Sequence, residues 1–502
     1  MVKVDWCPAD DHRHIVEPDD RNEFCATSPV EVATLAEEPR QRVMIDISSS
    51  PKNSWRDKVK HFSGLDRAIV FTVLARGCQI LGSGGTVFLI VHFLTPAEQG
   101  YYYTLYGLVS LQVVFELGFS FVILQMAAHE SAYVTVLSDG TIKGDSIAHK
   151  RLASILQKVR HWYTVAAFSM FVTLVPSGWY FFLQHQRPGD SVEWKLPWTL
   201  LVLMAALLLQ VDPIFSFLEG CGQIREVALL RMEQVVVGVV FGWTAMISGH
   251  GMYSPAVTLS GQFLTGVLFL WARRKFLLCL LRKDTEEDDI AWAREVWPFQ
   301  WKIAVSWICN WFTAQMLVVI LFTDCGAVAA GKMGMSMSIV GSLSGVAFAW
   351  MSTKSAIFGS MVQRREESLL DRLFFRTLLQ STVLICIGAI VMLAGLSALE
   401  RYLPSLGART ISVPLFAVLA VTALSSNIVQ SEALYLRAHK CEPFLPQSIL
   451  LAALVSGSAL LLARKYGVTG IVWGYFVCMG LIALASGTVI FRKKRQAWGY
   501  IS

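Results

Sequence analysis

Long apolar runs dominate the pattern of this 502-residue chain. About twelve of them follow one another from residue 68 onward, and each is near the ~20 residues that an α-helix needs to cross a bilayer. Short polar or basic segments separate the runs, which predicts an all-α polytopic membrane protein. The expected spans are residues 68–94, 101–127, 160–183, 196–219, 225–248, 253–279, 300–323, 326–352, 374–398, 410–436, 444–463 and 468–491.

Several residues recur at one constant offset between the two halves of the spanning region. Gly251 and Gly261 recur as Gly470 and Gly480. Six expected spans separate the copies, so both copies have the same orientation in the membrane. Parallel repeats related by an axis along the membrane normal are a known transporter plan. We therefore expect about 12 transmembrane helices in two pseudo-symmetric six-helix lobes.

Two segments outside the spans are long and polar. Residues 1–50 are acid-leaning and have neither helical nor strand period, which predicts disorder. The segment before the seventh span is charged and ends in tryptophans, as expected of an amphipathic helix on the membrane surface. The predicted organisation is a disordered cytoplasmic N-terminal tail at 1–60, an N-terminal lobe at 61–281, a cytoplasmic linker at 282–298 and a C-terminal lobe at 299–502.

The charge distribution gives an orientation. Charged residues make up 16% of the chain and hydrophobic residues 54%, which excludes an ordinary soluble protein with about 25% charged residues. With the N-terminus in the cytoplasm, the inner segments hold roughly 29 Lys and Arg and the outer loops roughly 6, as the positive-inside rule requires. Both termini are therefore expected in the cytoplasm. The net charge of +6 belongs to this pattern and does not indicate nucleic acid as a partner.

Ionisable residues and amides also occur inside the expected spans. Charges at membrane depth are costly and usually face a bundle interior or a wet cavity, so we favour a central cavity for the charged residues. For the amides, hydrogen bonding between helices is the stronger alternative. The candidates are Arg76, Glu116, Asp212, Lys332, Gln112, Asn310, Gln315, Asn427 and Gln430.

Two cations among these candidates suggest an anionic ligand. Arg76 lies in the first span and Lys332 in the eighth. A pyrophosphate would suit both, because arginine forks onto phosphate oxygens and lysine binds as a point charge. Glu116 and Asp212 could instead neutralise the cations, bind a coupling cation such as sodium, or exchange protons.

Other polar features are expected at the membrane interfaces. Arg231 and Glu233 lie near the cytoplasmic end of their span, where they either snorkel or reach the cavity. The tyrosines Tyr101–Tyr103 fall at the outer interface, where aromatic belts form, and we expect no ligand role for them. The ten cysteines show no metal-ligand spacing, so neither a metal nor a cofactor is expected.

Three short segments resemble those of a known family. They are FLTPAEQGYY from Phe93 to Tyr102, EVWPFQW from Glu295 to Trp301, and LEG at Leu218–Gly220. The segments are similar to those of bacterial O-antigen and polysaccharide flippases, which belong to the multidrug/oligosaccharidyl-lipid/polysaccharide exporter superfamily. At the level of topology the resemblance covers about residues 65–495.

The resemblance implies two lobes in a V around a cavity that opens to one side at a time. It implies a lipid-linked oligosaccharide as cargo, flipped across the bacterial inner membrane for polysaccharide or lipopolysaccharide biosynthesis. In related lipid flippases, cations of the first and eighth helices serve the pyrophosphate, and Arg76 and Lys332 occupy those helices here. The chain departs from the family in its long N-terminal tail and in having fewer cavity cations.

Two other classes compete with a flippase. A multidrug/cation antiporter of the same superfamily would have an acidic, aromatic cavity, whereas the candidates here have mixed charge signs. A membrane-embedded polymerase or ligase would be expected to carry catalytic residues in a sizeable outer loop. Because every expected outer loop is short, we expect a transporter and not an enzyme.

Overall fold

The structure is a computed structural model that describes residues 74–75, 77–79, 81–131, 134–136, 142–144, 146–187, 192–281, 297–439 and 443–498. Arg76, the tail at 1–60 and most of the linker at 282–298 lie outside these residues. The predictions for them, and the boundaries of the two lobes, therefore stay predictions.

The first half of the described chain is helical apart from one two-stranded antiparallel hairpin, which the sequence did not predict. Its elements are α1 (Gly77–Phe93), α2 (Pro96–Val109), α3 (Gln112–Glu116), α4 (Phe119–Ser131), β1 (Val134–Val136), β2 (Ile142–Gly144), α5 (Ser146–His185), α6 (Lys195–Gly220), α7 (Ile224–Ile247), α8 (Ser254–Ala272) and α9 (Arg274–Leu281).

The second half contains helices only, among the residues described. They are α10 (Trp297–Ala314), α11 (Met316–Cys325), α12 (Ala327–Ser352), α13 (Ser355–Gln363), α14 (Glu367–Tyr402), α15 (Pro404–Gly407), α16 (Val413–Ala438), α17 (Leu445–Tyr475) and α18 (Ala483–Ala497), with a π-helix at Phe476–Ile482 between the last two.

The predicted membrane-spanning helices are present. Nine helices in the described part of the chain are long and apolar enough to cross a bilayer. One of them, Leu445–Ala497, contains the last two expected spans, and the first two expected spans lie in α1 and in the pieces α2 to α4. The protein is a multi-pass membrane protein, as its sequence predicts.

Gly467 lies within α17 and separates the last two expected spans. Its backbone, at φ 57° and ψ −137°, lies in a region that is essentially restricted to glycine. The chain reverses there, and the two arms pack together, with Gln447 Nε2 donating to Ser486 Oγ at 2.8 Å. The short sequence Arg464–Gly467 can therefore join two antiparallel spans.

We expect Gly467→Ala to lower the free energy of unfolding by about 1–3 kcal/mol, because alanine is strained at this backbone conformation. Thermal unfolding of the purified protein in detergent would measure the loss. Gly457→Ala is the control, since a Cβ there meets no atom within 4 Å. Equal melting temperatures for the two variants would contradict the assigned role of Gly467.

The second expected span is not one continuous helix. Leu117 has a positive φ of 53°, which separates α3 from α4 in the middle of the span. The break frees the carbonyl of Leu117, and Gln300 Nε2 of the second half donates to it at 2.5 Å. Discontinuous spanning helices are tolerated where other groups satisfy the freed backbone, as happens here.

The two halves meet closely where α1 and α2 approach α12. We call this the outer end, after the side on which the positive-inside count predicts it to lie. Thr95 caps α2 with Glu98, and Gln99, which is 1% exposed, donates to the carbonyl of Gly331 at 2.9 Å. Arg409 also bridges the halves, donating to the carbonyl of Leu94 at 2.8 Å. We call these contacts the outer seal.

Candidate transport cavity

A cavity of about 690 Å³ lies between the two halves of the protein. The first half contributes α1, α2, α7 and α8 to its wall, and the second half contributes α10, α11, α12, α16 and α17. This volume falls within the ~300–1,000 Å³ usual for ligand pockets. The polar and aromatic residues that line this main cavity include Gln79, Ser83, Thr86, Tyr102, Tyr103, Tyr106, Trp243, Thr258, Asn310, Thr313, Gln315, Ser338, Ser344, Gln430 and Tyr475.

The described wall of the main cavity mixes apolar side chains with uncharged polar ones. Among the described residues that line it, none is an Asp, Glu, Lys, Arg or His. Hydrogen bonds hold several of its side chains in place: Trp243 Nε1 donates to Thr86 Oγ1 at 2.9 Å, and the hydroxyls of Ser83 and Ser342 lie 3.0 Å apart. The wall therefore offers hydroxyls and an indole held by hydrogen bonds, together with amides and aromatic faces.

A second cavity of about 500 Å³ continues from the main one toward the inner end, and we call it the inner chamber. Both cavities are lined by Asn310, Thr313, Ser426, Gln430 and Met479. The inner chamber is also lined by Arg437, Gln447, Ser306, Trp307, Cys309 and Ser448. Arg437 stands in the last turn of α16 and brings a positive charge to this chamber.

The predicted amides divide into two groups. Asn310 and Gln430 line both cavities, and Gln315 lines the main cavity. Gln112 and Asn427 are not among the residues that line either cavity. Asn427 is 2% exposed and donates from Nδ2 to Ser381 Oγ at 3.2 Å, which is the interhelical bonding considered as the alternative.

The two predicted phosphate-binding cations are not found together in the cavity. Arg76 is outside the described residues. Lys332 is half-buried on α12, two residues before Gly334, which lines the cavity. Each residue of an α-helix turns by about 100°, so Lys332 leaves the helix about 160° away from the direction in which Gly334 faces the cavity. Lys332 is not among the residues that line the main cavity or the inner chamber.

The predicted carboxylates form a separate cluster in the first half. Asp212 accepts a hydrogen bond from Arg231 Nη1 at 2.9 Å, and Glu116 accepts one from Ser120 Oγ at 2.9 Å. Glu116 and Asp212 are close enough to interact electrostatically. Arg231, for which snorkelling was the alternative, is thus the charge partner of Asp212. The 19-residue separation between the two gives no sequence signal for that pairing.

The tyrosines after the first turn lie in a different environment from the one expected. Tyr102 and Tyr103 line the main cavity, and Tyr101 is fully buried against Phe182 and Phe322. The prediction of an outer aromatic belt is therefore wrong for these residues. Because α2 packs against α12, its first turns face the other half of the protein instead of lipid. Tyr102 and Tyr106 are four residues apart and so lie on one helix face, and this spacing was the sequence signal that could have placed them in the cavity.

Several solved structures with a similar fold are described as transporters. Searches found no matching family model and no matching curated protein. An inward-facing multidrug resistance MATE family transporter of the MOP superfamily matches with a TM-score of 0.62 at 13% identity, over 86% of this chain and 96% of that one. An outward-facing MATE transporter of the same superfamily matches with a TM-score of 0.53 at 14% identity, over 87% and 96%.

A third similar structure comes from Pyrococcus furiosus. It is described as a MOP superfamily transporter whose reversed binding-pocket polarity suggests a different function, and it matches with a TM-score of 0.55 at 13% identity, over 86% of this chain and 96% of that one. These neighbours are transporters and not enzymes, and they are described in inward- and outward-facing conformations. The chain has the fold of MOP superfamily transporters.

Proposed function

We propose that the protein moves a lipid-linked oligosaccharide across the bacterial inner membrane by alternating access. The observation that carries the proposal is the wall of the main cavity, where amides, hydroxyls and aromatic rings of both halves stand among apolar side chains and none of the described residues is charged. Sugar hydroxyls both donate and accept hydrogen bonds, as amides do, and the apolar faces of sugar rings pack on aromatic side chains. The polyprenyl tail would remain in the bilayer, and both termini would lie in the cytoplasm.

The pyrophosphate contacts of this proposal include Arg76 and Lys332. In the sequence, Arg76 precedes the cavity-lining residues Gln79 and Ser83 by three and seven positions, which is the spacing of one helix face. Lys332 does not line the cavity in this conformation, so its contact with cargo requires another conformation of α12.

Coupling to a cation is assigned to the cluster of Glu116, Asp212 and Arg231. Protonation of a carboxylate, or binding of sodium by it, would compete with the Asp212–Arg231 ion pair. Such competition can couple ion binding to a conformational change, provided that the ion has different affinities for the two conformations. The cluster is separate from both cavities, so cargo and ion would not share ligands.

A multidrug/cation antiporter is the second candidate, because solved neighbours are described as multidrug resistance transporters. Aromatic faces can bind an organic cation, and a carboxylate in the cavity would bind it more strongly as a counter-charge. The described wall of the main cavity provides aromatic rings but no carboxylate, which favours a neutral polyol as its ligand.

Transport of the two cargo classes can be compared in proteoliposomes. A fluorescent undecaprenyl-pyrophosphate oligosaccharide would be followed by its accessibility to an external quencher, with and without a membrane potential. We expect protein-dependent movement of this lipid. Efflux of an organic cation dye in exchange for sodium or protons, without movement of the lipid, would establish the antiporter instead.

We expect Asn310→Leu and Gln430→Leu each to raise KM for the lipid-linked oligosaccharide about 3- to 10-fold. Each substitution removes hydrogen bonds worth about 0.5–1.5 kcal/mol from the passage between the two cavities. The same proteoliposome assay provides the measurement. Gln380→Leu is the matched control, since Gln380 is an exposed amide on α14, and an equal effect of all three variants would contradict the cavity assignment.

A further inference from the structure

We propose that an exposed groove along α8 and α9 binds one anionic phospholipid, with Arg274 on the phosphate and the apolar wall along the acyl chains. We call it the lipid groove. It has a volume of about 340 Å³ and is lined by Val267, Leu270, Trp271, Arg274, Leu277 and Leu278. None of these residues lines the main cavity or the inner chamber, so the inference does not depend on the proposed cargo.

The length of α8 places the lipid groove at the inner interface of the membrane. The helix follows Gly251 at the outer end, where a Cβ on that glycine would lie 2.6 Å from Leu94 Cδ1. Its 19 residues rise by about 28 Å, which is nearly the ~30 Å of the hydrocarbon layer. Arg273 and Arg274 follow its last residue and therefore lie at the level of the inner headgroups.

The two arginines make different contacts. Arg273 Nε donates to Gln223 Oε1 at 2.8 Å, and its guanidinium lies 3.6 Å from the centre of the Phe269 ring. Arg274 lines the groove instead, with its guanidinium 4.2 Å from the centre of the Trp271 ring and Nη1 donating to the Trp271 carbonyl at 3.0 Å. A guanidinium has five N–H donors, so Arg274 keeps donors for a ligand.

The charge of Arg274 suits an anionic headgroup. Within the described part of the chain, no Asp or Glu forms an ion pair with it, and the exposed Lys275 comes next to it. Arginine matches the geometry of phosphate oxygens, and basic groups at this depth attract anionic lipids. A zwitterionic lipid carries its own cation beside the phosphate, so an anionic phospholipid is the better partner.

The apolar wall of the groove distinguishes a lipid from a free phosphate. Phe276 and Leu280 are buried, whereas Leu278 on another face of α9 is 47% exposed and Trp271 is 64% exposed. A helix with one such exposed apolar face and basic residues at its start fits the membrane interface. Tryptophan is also favoured at the level of the headgroups. The groove thus places a cation beside a surface for acyl chains.

Arginine and tryptophan are common at inner membrane interfaces, so the test must separate one bound lipid from general attraction to the surface. Arg274→Gln removes the charge, and Arg274→Lys retains it without the planar fork. Arg376→Gln is the matched control, because Arg376 is an exposed arginine of α14 that does not line the groove.

Native mass spectrometry would measure the affinity for the first bound lipid. The purified full-length chain, stripped of lipid in detergent, would be titrated with phosphatidylglycerol and separately with phosphatidylcholine of the same acyl chains. We expect the unmodified protein to prefer phosphatidylglycerol. We expect Arg274→Gln to weaken binding of the first phosphatidylglycerol about 5-fold, as for loss of one basic residue near an anionic surface, and to leave phosphatidylcholine unchanged. Arg274→Lys should retain part of the preference and Arg376→Gln all of it.

Photolabelling would locate the lipid in the unmodified protein. Phosphatidylglycerol with a diazirine in one acyl chain would be added to protein in phosphatidylcholine vesicles, in parallel with the phosphatidylcholine analogue. We expect adducts of the anionic lipid to be enriched over those of the analogue at residues 267–278. The comparison region is 379–391 of α14, where exposed apolar side chains should react equally with both lipids.

Several results would overturn the inference. They are equal affinity of the unmodified protein for the two lipids, unchanged phosphatidylglycerol binding by Arg274→Gln, and an equal loss in Arg376→Gln. Adducts that are not enriched at 267–278 would also contradict it. Displacement of phosphatidylglycerol by an equal concentration of glycerol phosphate would show that the site recognises a free phosphate and not a lipid.

Discussion

Replacing Gly100 with leucine is expected to reduce transport at least 10-fold by preventing closure of the outer seal. A Cβ on Gly100 would lie 1.9 Å from the carbonyl oxygen of Ala327, and one on Gly331 would lie 2.9 Å from the backbone nitrogen of Gly100. Helix backbones approach this closely only where residues are small. Because backbone atoms occupy the space, no side-chain rearrangement can accommodate leucine.

Accessibility of the cavity would show whether the seal has opened. In a cysteine-free background, Gly341→Cys places a reporter on the wall of the main cavity, where a Cβ meets no atom within 4 Å. We expect Gly100→Leu to increase labelling of this cysteine by a membrane-impermeant maleimide added from outside. Gly395→Leu is the control, because it adds the same side chain where a Cβ likewise meets no atom within 4 Å. Unchanged labelling and transport in Gly100→Leu would contradict the outer seal.

Asp371→Asn is expected to lower the free energy of unfolding by about 3 kcal/mol, because it leaves a buried arginine without its counter-charge. Arg495 is 7% exposed and forms an ion pair with Asp371, which also accepts a hydrogen bond from Tyr435 at 2.7 Å. Phe374 and Phe491 pack on Tyr435 in the same cluster. The ion pair therefore links α14, α16 and α18 at the inner end.

Thermal unfolding in detergent would measure this loss against a second aspartate–arginine pair. The side chain of Arg464 in the Asp324–Arg464 pair is 80% exposed, so we expect Asp324→Asn to cost less than about 1 kcal/mol. Equal melting temperatures for Asp371→Asn and Asp324→Asn would show that burial of Arg495 does not make its ion pair important for stability.

The spans could be predicted from the sequence because hydrocarbon requires long apolar helices, whatever their neighbours. The same reasoning missed the break at Leu117, which depends on Gln300, a residue of the other half, to satisfy a backbone carbonyl. Such a partner is distant in the sequence and leaves no local signal. The reversal at Gly467 was foreseen only as a short polar interval between two runs.

The sequence predicted the types of residue that line the candidate site better than it predicted which individual residues line it. Amides at membrane depth suggested a polar cavity, and Asn310, Gln315 and Gln430 line one. The packing of the two halves decides which face of each helix points toward the cavity. The spans alone therefore could not show that Lys332 lies away from the cavity or that Tyr102 lines it.

Photo-crosslinking tests most directly whether the main cavity holds a lipid-linked glycan. Gly341 would be replaced by p-benzoylphenylalanine, which the open space beside it accommodates, with the same residue at the exposed Gly395 as control. We expect undecaprenyl-pyrophosphate oligosaccharide to form an adduct at position 341 and not at position 395. Excess unlabelled glycolipid should abolish the adduct, whereas an organic cation dye should not. Absence of the adduct, or its displacement by the dye at lower concentration than by the glycolipid, would contradict the proposed cargo.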